Sequence, residues 1–474
     1  MYTLDKIYID GEFSTPHGDE LFDMHNPTTG ASIGHVRLAD QADARRAVDA
    51  AANAFPSFSR TSKAERIDLL RRLHAAIMAR AEDLRDATVQ EYGGLFGASQ
   101  WRVALAADSF LAAAATLESY DFTRKVGSAR VIREAVGVAG LITPWNNNCG
   151  SVSTKLSAAL AAGCTTVIKP SELSALQASL LTECFHAADV PRGVINVVNG
   201  RGDVVGAELS ANPKVAKISF TGSTAVGKTI IRAGAESIKR VTLELGGKSA
   251  TVVLDDADLD KAVAVAVAAG FGNNGQACVN GTRILVPQSL AEPFCAKLKT
   301  AVEAMKVGDP SEADTVIGPL VSRTQLDRVE HYIRLGLEQG AELVTGGPGR
   351  PEGLPGGYFV KPTVFSKVTS SMAIAQEEIF GPVVAVMTYK SEDEAIEIAN
   401  GTIYGLQAYI VSADAARAQS VADRLLAGRV LINGAPHDPE APFGGFKQSG
   451  IGREYGVFGL ESFTEVKAVL APAQ

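Results

Sequence analysis

Residues 271–283 read FGNNGQACVNGTR, and the placement of the rest of the chain follows from this stretch. One cysteine, Cys278, stands behind Gly272, Asn273, Asn274, Gly275, Gln276 and Ala277. Glycine and asparagine tolerate positive φ, so the run predicts a tight loop rather than a helix or a strand. Small neighbours leave a thiol open to a substrate. A lone cysteine is more often inert packing, so its meaning depends on the residues that accompany it elsewhere in the chain.

Upstream of the loop, residues 129–246 alternate strand and helix patterns. Strands are expected at 136–143, 165–169, 194–198 and 216–220, and helices at 151–162, 172–188, 206–211 and 225–233. Such alternation implies a parallel sheet with helices on its faces, which binds ligands at the carboxyl ends of its strands. A second α/β series follows over 249–429. Further upstream, residues 1–35 predict short strands and turns. Ser62 and Glu65 form a capping box that opens a long helix, with apolar residues at helical spacing from Ile67 through Val89. The Ala-rich stretch 102–117 predicts a second, closely packed helix. From 430 the chain is Gly-rich. It ends in an alternating piece, 462–469, expected to extend a sheet edge, that of a partner subunit included.

At 474 residues the chain is too long for one simple core and implies two or three domains. A net charge of −8 argues against nucleic acid. No apolar run suits a bilayer span, and the start MYTLDKIYIDGEF lacks the basic and apolar regions of a secretory signal. The five cysteines, at 149, 164, 184, 278 and 295, show no metal-binding spacing, and no metal is expected. A cytoplasmic protein is the expectation.

Several strand ends carry distinctive residues. Gly200, Gly202 and Gly206 give G-x-G-x-x-x-G, one residue too long for the dinucleotide fingerprint and without the acid about twenty positions on. Lys169-Pro170-Ser171-Glu172 places a lysine and a carboxylate where both can bond ribose hydroxyls; helix capping by Ser171 is the plainer reading. Phe220-Thr221-Gly222-Ser223 suits a phosphate seat or a cap. Glu244, flanked by Leu243, Leu245 and two glycines, sits in an apolar setting that raises a carboxyl pKa toward general-base range. The amide of Asn146 suits a developing oxyanion, a loop cap being the alternative.

Together these pieces resemble the NAD(P)-dependent aldehyde dehydrogenase superfamily over nearly the whole chain. PWN at 144–146, KPSE at 169–172, FTGS at 220–223, LELGGKS at 243–249, GQAC at 275–278, EEIFGP at 377–382 and PFGGFKQSGIGRE at 442–454 follow the family order. The resemblance implies an α/β fold with a Rossmann-like cofactor domain (1–116 and 136–246). It adds an α/β catalytic domain (247–445) and a small β extension (117–135 and 446–474) that builds homodimers or homotetramers. It makes Cys278 the nucleophile, Asn146 and the Cys278 N–H the oxyanion donors, and Glu244 the base that releases the thioester with water. Lys155 and Glu454 would relay the proton of Glu244. Cofactor contacts would come from Ile142, Trp145, Lys169, Ser171, Glu172, Gly202, Gly206, Phe220, Gly222, Ser223, Leu245, Gly246, Glu378 and Phe380. The carboxylate of Glu172 favours NAD, with NADP the second candidate. Asn147, Ser151, Thr154, Ala277, Val279, His437 and Phe443 would line the substrate channel.

The chain departs from many members after Asn146, where Asn147, Asn148, Cys149, Gly150 and Ser151 replace an aromatic residue and an apolar run. A polar or hydroxylated aldehyde is therefore the expected substrate. Two rival readings are a coenzyme A-acylating semialdehyde dehydrogenase and a dehydrogenase-derived binding protein without turnover. The first typically lacks the glutamate found here at Glu244, and the second would be expected to have lost Cys278 or Glu244.

Overall fold

A computed structural model describes residues 1–471. Two sheets organise them. In the first, five parallel strands lie in the order Arg240–Glu244, Val215–Thr221, Val138–Ile142, Thr165–Lys169 and Ile195–Val197. Antiparallel strands finish both edges: Gly450–Ile451 on one side, Ile7–Ile9 and then Glu12–Ser14 on the other. The second sheet runs Glu342–Thr345, Thr363–Ser366, Val383–Tyr389, Arg283–Pro287, Ala250–Val253, Gln407–Val411 and Arg429–Ile432, parallel throughout except at Glu342–Thr345. Central strands such as Val138–Ile142 and Gln407–Val411 are buried at every position, as strands covered on both faces are.

The expected capping box forms: Ser62 Oγ accepts from Glu65 N at 3.2 Å, and Ser62 N donates to Glu65 Oε2 at 2.7 Å. The helix it opens, Lys63–Ala79, is shorter than the periodicity suggests. Arg80, at φ −117°, leaves the helical region, and the chain resumes as Ala81–Ala87 and a wide turn over Thr88–Tyr92. The Ala-rich helix instead runs longer, Phe96–Ser119, and packs against both Lys63–Ala79 and Asn148–Ala162. Its buried Ala106, Ala107 and Ala114 allow that close approach.

A third, three-stranded sheet joins Thr123–Val126, Ala129–Ala135 and Thr464–Val469. The tail strand therefore adds to its own chain, antiparallel to Ala129–Ala135 from Thr464 opposite Ala135 to Val469 opposite Arg130. Phe463, buried in the first core and bonded through its carbonyl to Val136 N at 3.0 Å, delivers the strand there. The last three residues of the expected extension, 472–474, lie outside the described residues. Among the described residues no helix is long and apolar enough to cross a membrane.

Candidate active site

The loop holding Cys278 leads into Arg283–Pro287 of the second sheet, whereas Glu244 ends the strand Arg240–Glu244 of the first. A cavity of about 470 Å³ opens between them, lined by Cys278, Glu244, Asn146 and Glu454. The loop has the conformation its composition predicts: Asn273 (φ 56°), Asn274 (56°) and Gly275 (74°) are left-handed in succession. Left-handed backbone is costly for side chains other than glycine and persists where surroundings impose it. Here they do. Asn274 Nδ2 donates to Gly93 O at 3.0 Å, and Gly318 N donates to Asn274 Oδ1 at 2.8 Å. Asn273 Nδ2 donates to Asn146 O at 3.1 Å and to Gln276 O at 3.0 Å, while the Arg102 guanidinium donates to Asn273 Oδ1. Gly275 lies so close to Gly381 that a Cβ there would come within 2.1 Å of its carbonyl carbon.

Asn146 does not end a strand; it stands in the loop between Val138–Ile142 and the helix Asn148–Ala162. Its Nδ2 donates to Gln276 O at 2.9 Å, which fixes the amide and leaves its second hydrogen for a ligand. Glu244 is buried, and neither carboxylate oxygen has a hydrogen-bond partner. Burial and then the nearby Glu454 raise its pKa well above the ordinary carboxyl range, against the pull of Lys155 and Arg453. Burial also pushes the Cys278 thiol up to about 12, with Glu378 and Glu244 adding to the effect. Burial thus disfavours the thiolate form of Cys278, and the lifted carboxyl of Glu244 opens on the same cavity. Behind it, the buried Lys155 Nζ pairs with Glu454 Oε1. Glu454 is held by paired backbone bonds with Phe443, at 2.8 and 3.0 Å. Lys155 alone of the five expected catalytic residues does not line the cavity.

The expected cofactor residues gather at the carboxyl edge of the first sheet. Lys169 Nζ and Glu172 Oε2 pair with each other at 3.1 Å. Ser171 and Ser223 both act as caps: Ser171 Oγ accepts from Leu173 N at 3.2 Å, and Ser223 Oγ accepts from Val226 N at 3.3 Å. Gly202 opens a wide turn, Gly202–Gly206, with nothing within 4 Å of where its Cβ would be. Gly206 backs onto Ile142, which shares a buried cluster with Phe220 and Leu245. The Phe220 ring lies over Gly222. Gly246 lies beneath Glu378, whose Oε1 accepts from Gly247 N at 3.1 Å. Burial pushes the Glu378 carboxyl up to about 7, opposed by the Gly247 N–H, Lys248 and Arg328. Phe380 is left-handed (φ 64°) and meets Trp145 edge-on at 5.4 Å between ring centroids.

All seven expected channel residues, Asn147, Ser151, Thr154, Ala277, Val279, His437 and Phe443, line the same cavity as Cys278. The Asn147 amide folds onto Gly150, where a Cβ would come within 2.4 Å of Nδ2. Sequence reasoning missed the wall supplied by Phe96–Ser119, including Trp101, Arg102 and Leu105, and also Arg429 and Tyr455. A single arginine in an otherwise Ala-rich helix was the available signal for Arg102.

A cysteine and an orphaned carboxyl thus share one cavity at the edge of a Rossmann-like sheet. The sequence profile described as Aldehyde dehydrogenase family matches residues 13–469. A relative from Staphylococcus saprophyticus is 46% identical over 470 residues, 99% of each chain. Aldehyde dehydrogenase C of Pseudomonas syringae, solved as a cysteine-to-alanine mutant with NAD+ and octanal, is 44% identical with a TM-score of 0.98, covering 99% of this chain and 98% of that one. Betaine aldehyde dehydrogenase of Staphylococcus aureus, solved with NAD+, is 36% identical with a TM-score of 0.95 over 98% and 94%. The chain belongs to the aldehyde dehydrogenase family and has its fold.

Proposed function

We propose that the chain oxidises an aldehyde to a carboxylic acid with NAD, through a thioester on Cys278. The observation that carries this reading is the shared cavity of Cys278, the tethered amide of Asn146 and the unpartnered carboxyl of Glu244. Cys278 loses its thiol proton to solvent in the cavity as its sulfur adds to the aldehyde carbonyl, and Asn146 Nδ2 with the Cys278 N–H receives the oxyanion. Bound NAD supplies the hydride acceptor. Glu244 then takes a proton from the water that releases the acid, and the Lys155–Glu454 pair lies behind it as an exit for that proton.

The chain's own residues fit this cofactor. A lysine–carboxylate pair stands at a parallel strand's carboxyl end, and two glycines, Gly222 and Gly246, leave no room for a Cβ. Glu172 would accept from ribose hydroxyls and repel a 2′-phosphate, so kcat/KM is expected to be higher with NAD than with NADP. The NAD+ complexes of the Pseudomonas and Staphylococcus relatives support the assignment. Glu244 favours water over coenzyme A as the acyl acceptor.

Asn147, Ser151 and Thr154 lie on one side of a helix that faces the cavity, so polar aldehydes should be preferred over alkanals of equal length. The divisions 1–116 with 136–246, 247–445, and 117–135 with 446–474 serve as cofactor, catalytic and oligomerisation parts. The tail strand Thr464–Val469 is an edge strand with an exposed Val466, which supports pairing between copies into a homodimer or homotetramer. A cytoplasmic location is the matching compartment for a catalytic free thiol.

The test is an aldehyde panel followed by NADH absorbance, with and without coenzyme A. NADH formation that does not require coenzyme A is expected. An absolute requirement for coenzyme A, or no turnover with any aldehyde, would overturn the reading.

A further inference from the structure

Five charged side chains line the substrate cavity, and four of them are accounted for. Glu244 is the proposed base. Glu454 is paired with Lys155. Asp108 faces His74 at 3.4 Å, with most of its side chain in solvent. Arg429 donates from Nε to Gln407 Oε1 at 2.7 Å, contacts His437 Nδ1 at 3.0 Å, and lies over the Phe443 ring. Arg102 is left over. Its half-buried guanidinium spends one nitrogen on Asn273 Oδ1, and among the described residues no carboxylate stands within ion-pair distance of it. Its other N–H groups make no hydrogen bond to the described residues, while the residue itself lines the cavity.

A guanidinium partly withdrawn from water and denied an anion matches the geometry of a carboxylate, which it binds through two parallel N–H donors. The tether to Asn273 holds the planar group in place before a substrate arrives, which lowers the entropy lost on binding. The same Asn273 holds Asn146 and Gln276, so an anion on Arg102 would be seated next to the loop that presents the thiol. We propose that Arg102 is the specificity-determining residue of this cavity and that the preferred substrates are aldehydes carrying a carboxylate. The inference rests on the dehydrogenase reading above and narrows its substrate class from polar to anionic.

The test uses the full chain with NAD and matched pairs of aldehydes, an n-alkanal and the ω-carboxy aldehyde of equal length, over a range of chain lengths. In the wild type the carboxylated member is expected to have the higher kcat/KM at one or two lengths, and those lengths report the reach from Cys278 to Arg102. Arg102→Met should lower the ratio of carboxylated to uncharged kcat/KM by about 100-fold, and Arg102→Lys should lower it less. Using the ratio removes any common loss caused by loosening Asn273. Competitive inhibition of the wild type by dicarboxylates over monocarboxylates of equal length reads the same preference without a variant. A wild type that oxidises alkanals better than their carboxylated partners at every length would overturn the inference and leave the dehydrogenase reading standing. So would a ratio unchanged in Arg102→Met. Failure to oxidise any aldehyde would remove both.

Discussion

At the floor of the cavity, Cys278 and Asn146 are held by a loop with three left-handed residues in a row and by side-chain bonds from Asn273, Asn274 and Gln276. The wall formed by the helices Phe96–Ser119 and Asn148–Ala162 is built otherwise, from small or singly tethered side chains such as Ala112, Gly150, Ser151 and Thr154. The floor is overdetermined, so any change there removes a catalytic group or its orientation. The wall can be changed with the backbone left intact. On the proposed function, chemistry and specificity sit in structurally different regions, and substitutions should separate them.

The largest effect should come from the floor. Cys278→Ala is expected to lower steady-state aldehyde oxidation by at least about 10⁴-fold while NAD binding, read by fluorescence or calorimetry, survives. The thiol contributes nothing to the Lys169–Glu172 edge, so a loss of both would mean that the two regions are not separable. Glu244→Gln comes next. A burst of NADH close to one per active site should precede a steady state slower by about 10²–10⁴-fold, because the base acts after the acyl group is on sulfur. Normal turnover would show that another group releases the acid.

A smaller effect is expected from pH at the cofactor edge. Burial lifts the Glu378 carboxyl to about 7. Above that pH it is ionised and can accept two ribose hydrogen bonds; below it the proton removes the charge. The KM for NAD should therefore rise by roughly tenfold as pH falls through about 7, the value of a charge-assisted hydrogen bond. Glu378→Gln should flatten this dependence. An NAD KM constant between pH 6 and 8 in the wild type would remove Glu378 from the cofactor site.

Much of the floor was legible because its chemistry is written in short contiguous runs. GQAC, LELGGKS and PWN each carry their cavity-lining residue, Cys278, Glu244 or Asn146, within a few positions of the glycines or amides that shape it. The parallel strands were legible for a similar reason, since Thr165–Lys169 and Val215–Thr221 are short runs rich in β-branched residues with Pro or Gly just beyond their ends. Arg102 stood out as the one arginine of its helix, but its setting was not legible. Its role depends on a contact to Asn273 across 171 positions, and neither periodicity nor composition encodes such a distance. The tail strand was ambiguous for a related reason: alternation predicts an edge strand but not whose edge, and the burial of Phe463 decided it.

The smallest expected effect tests the wall. Asn147 is exposed to the cavity and its amide lies across Gly150, a position open only because residue 150 has no side chain. An alkyl chain drawn over that amide would strip it of water without replacing the hydrogen bonds, at a cost of about 1–3 kcal/mol for a fully buried group and less for this partly exposed one. A hydroxylated aldehyde replaces those bonds. Asn147→Phe fills the same space with an apolar ring and removes the penalty, so the ratio of kcat/KM for a hydroxylated aldehyde over an alkanal of equal length should fall by roughly 3–10-fold. Burst amplitude and NAD affinity should stay as in the wild type, because neither Cys278 nor the cofactor edge bonds to this side chain. A ratio unmoved by the ring would place the substrate along the Arg102 side of the cavity alone. A ratio that fell together with the burst would mean that wall and floor are coupled through the helix start at Asn148 and are not separable.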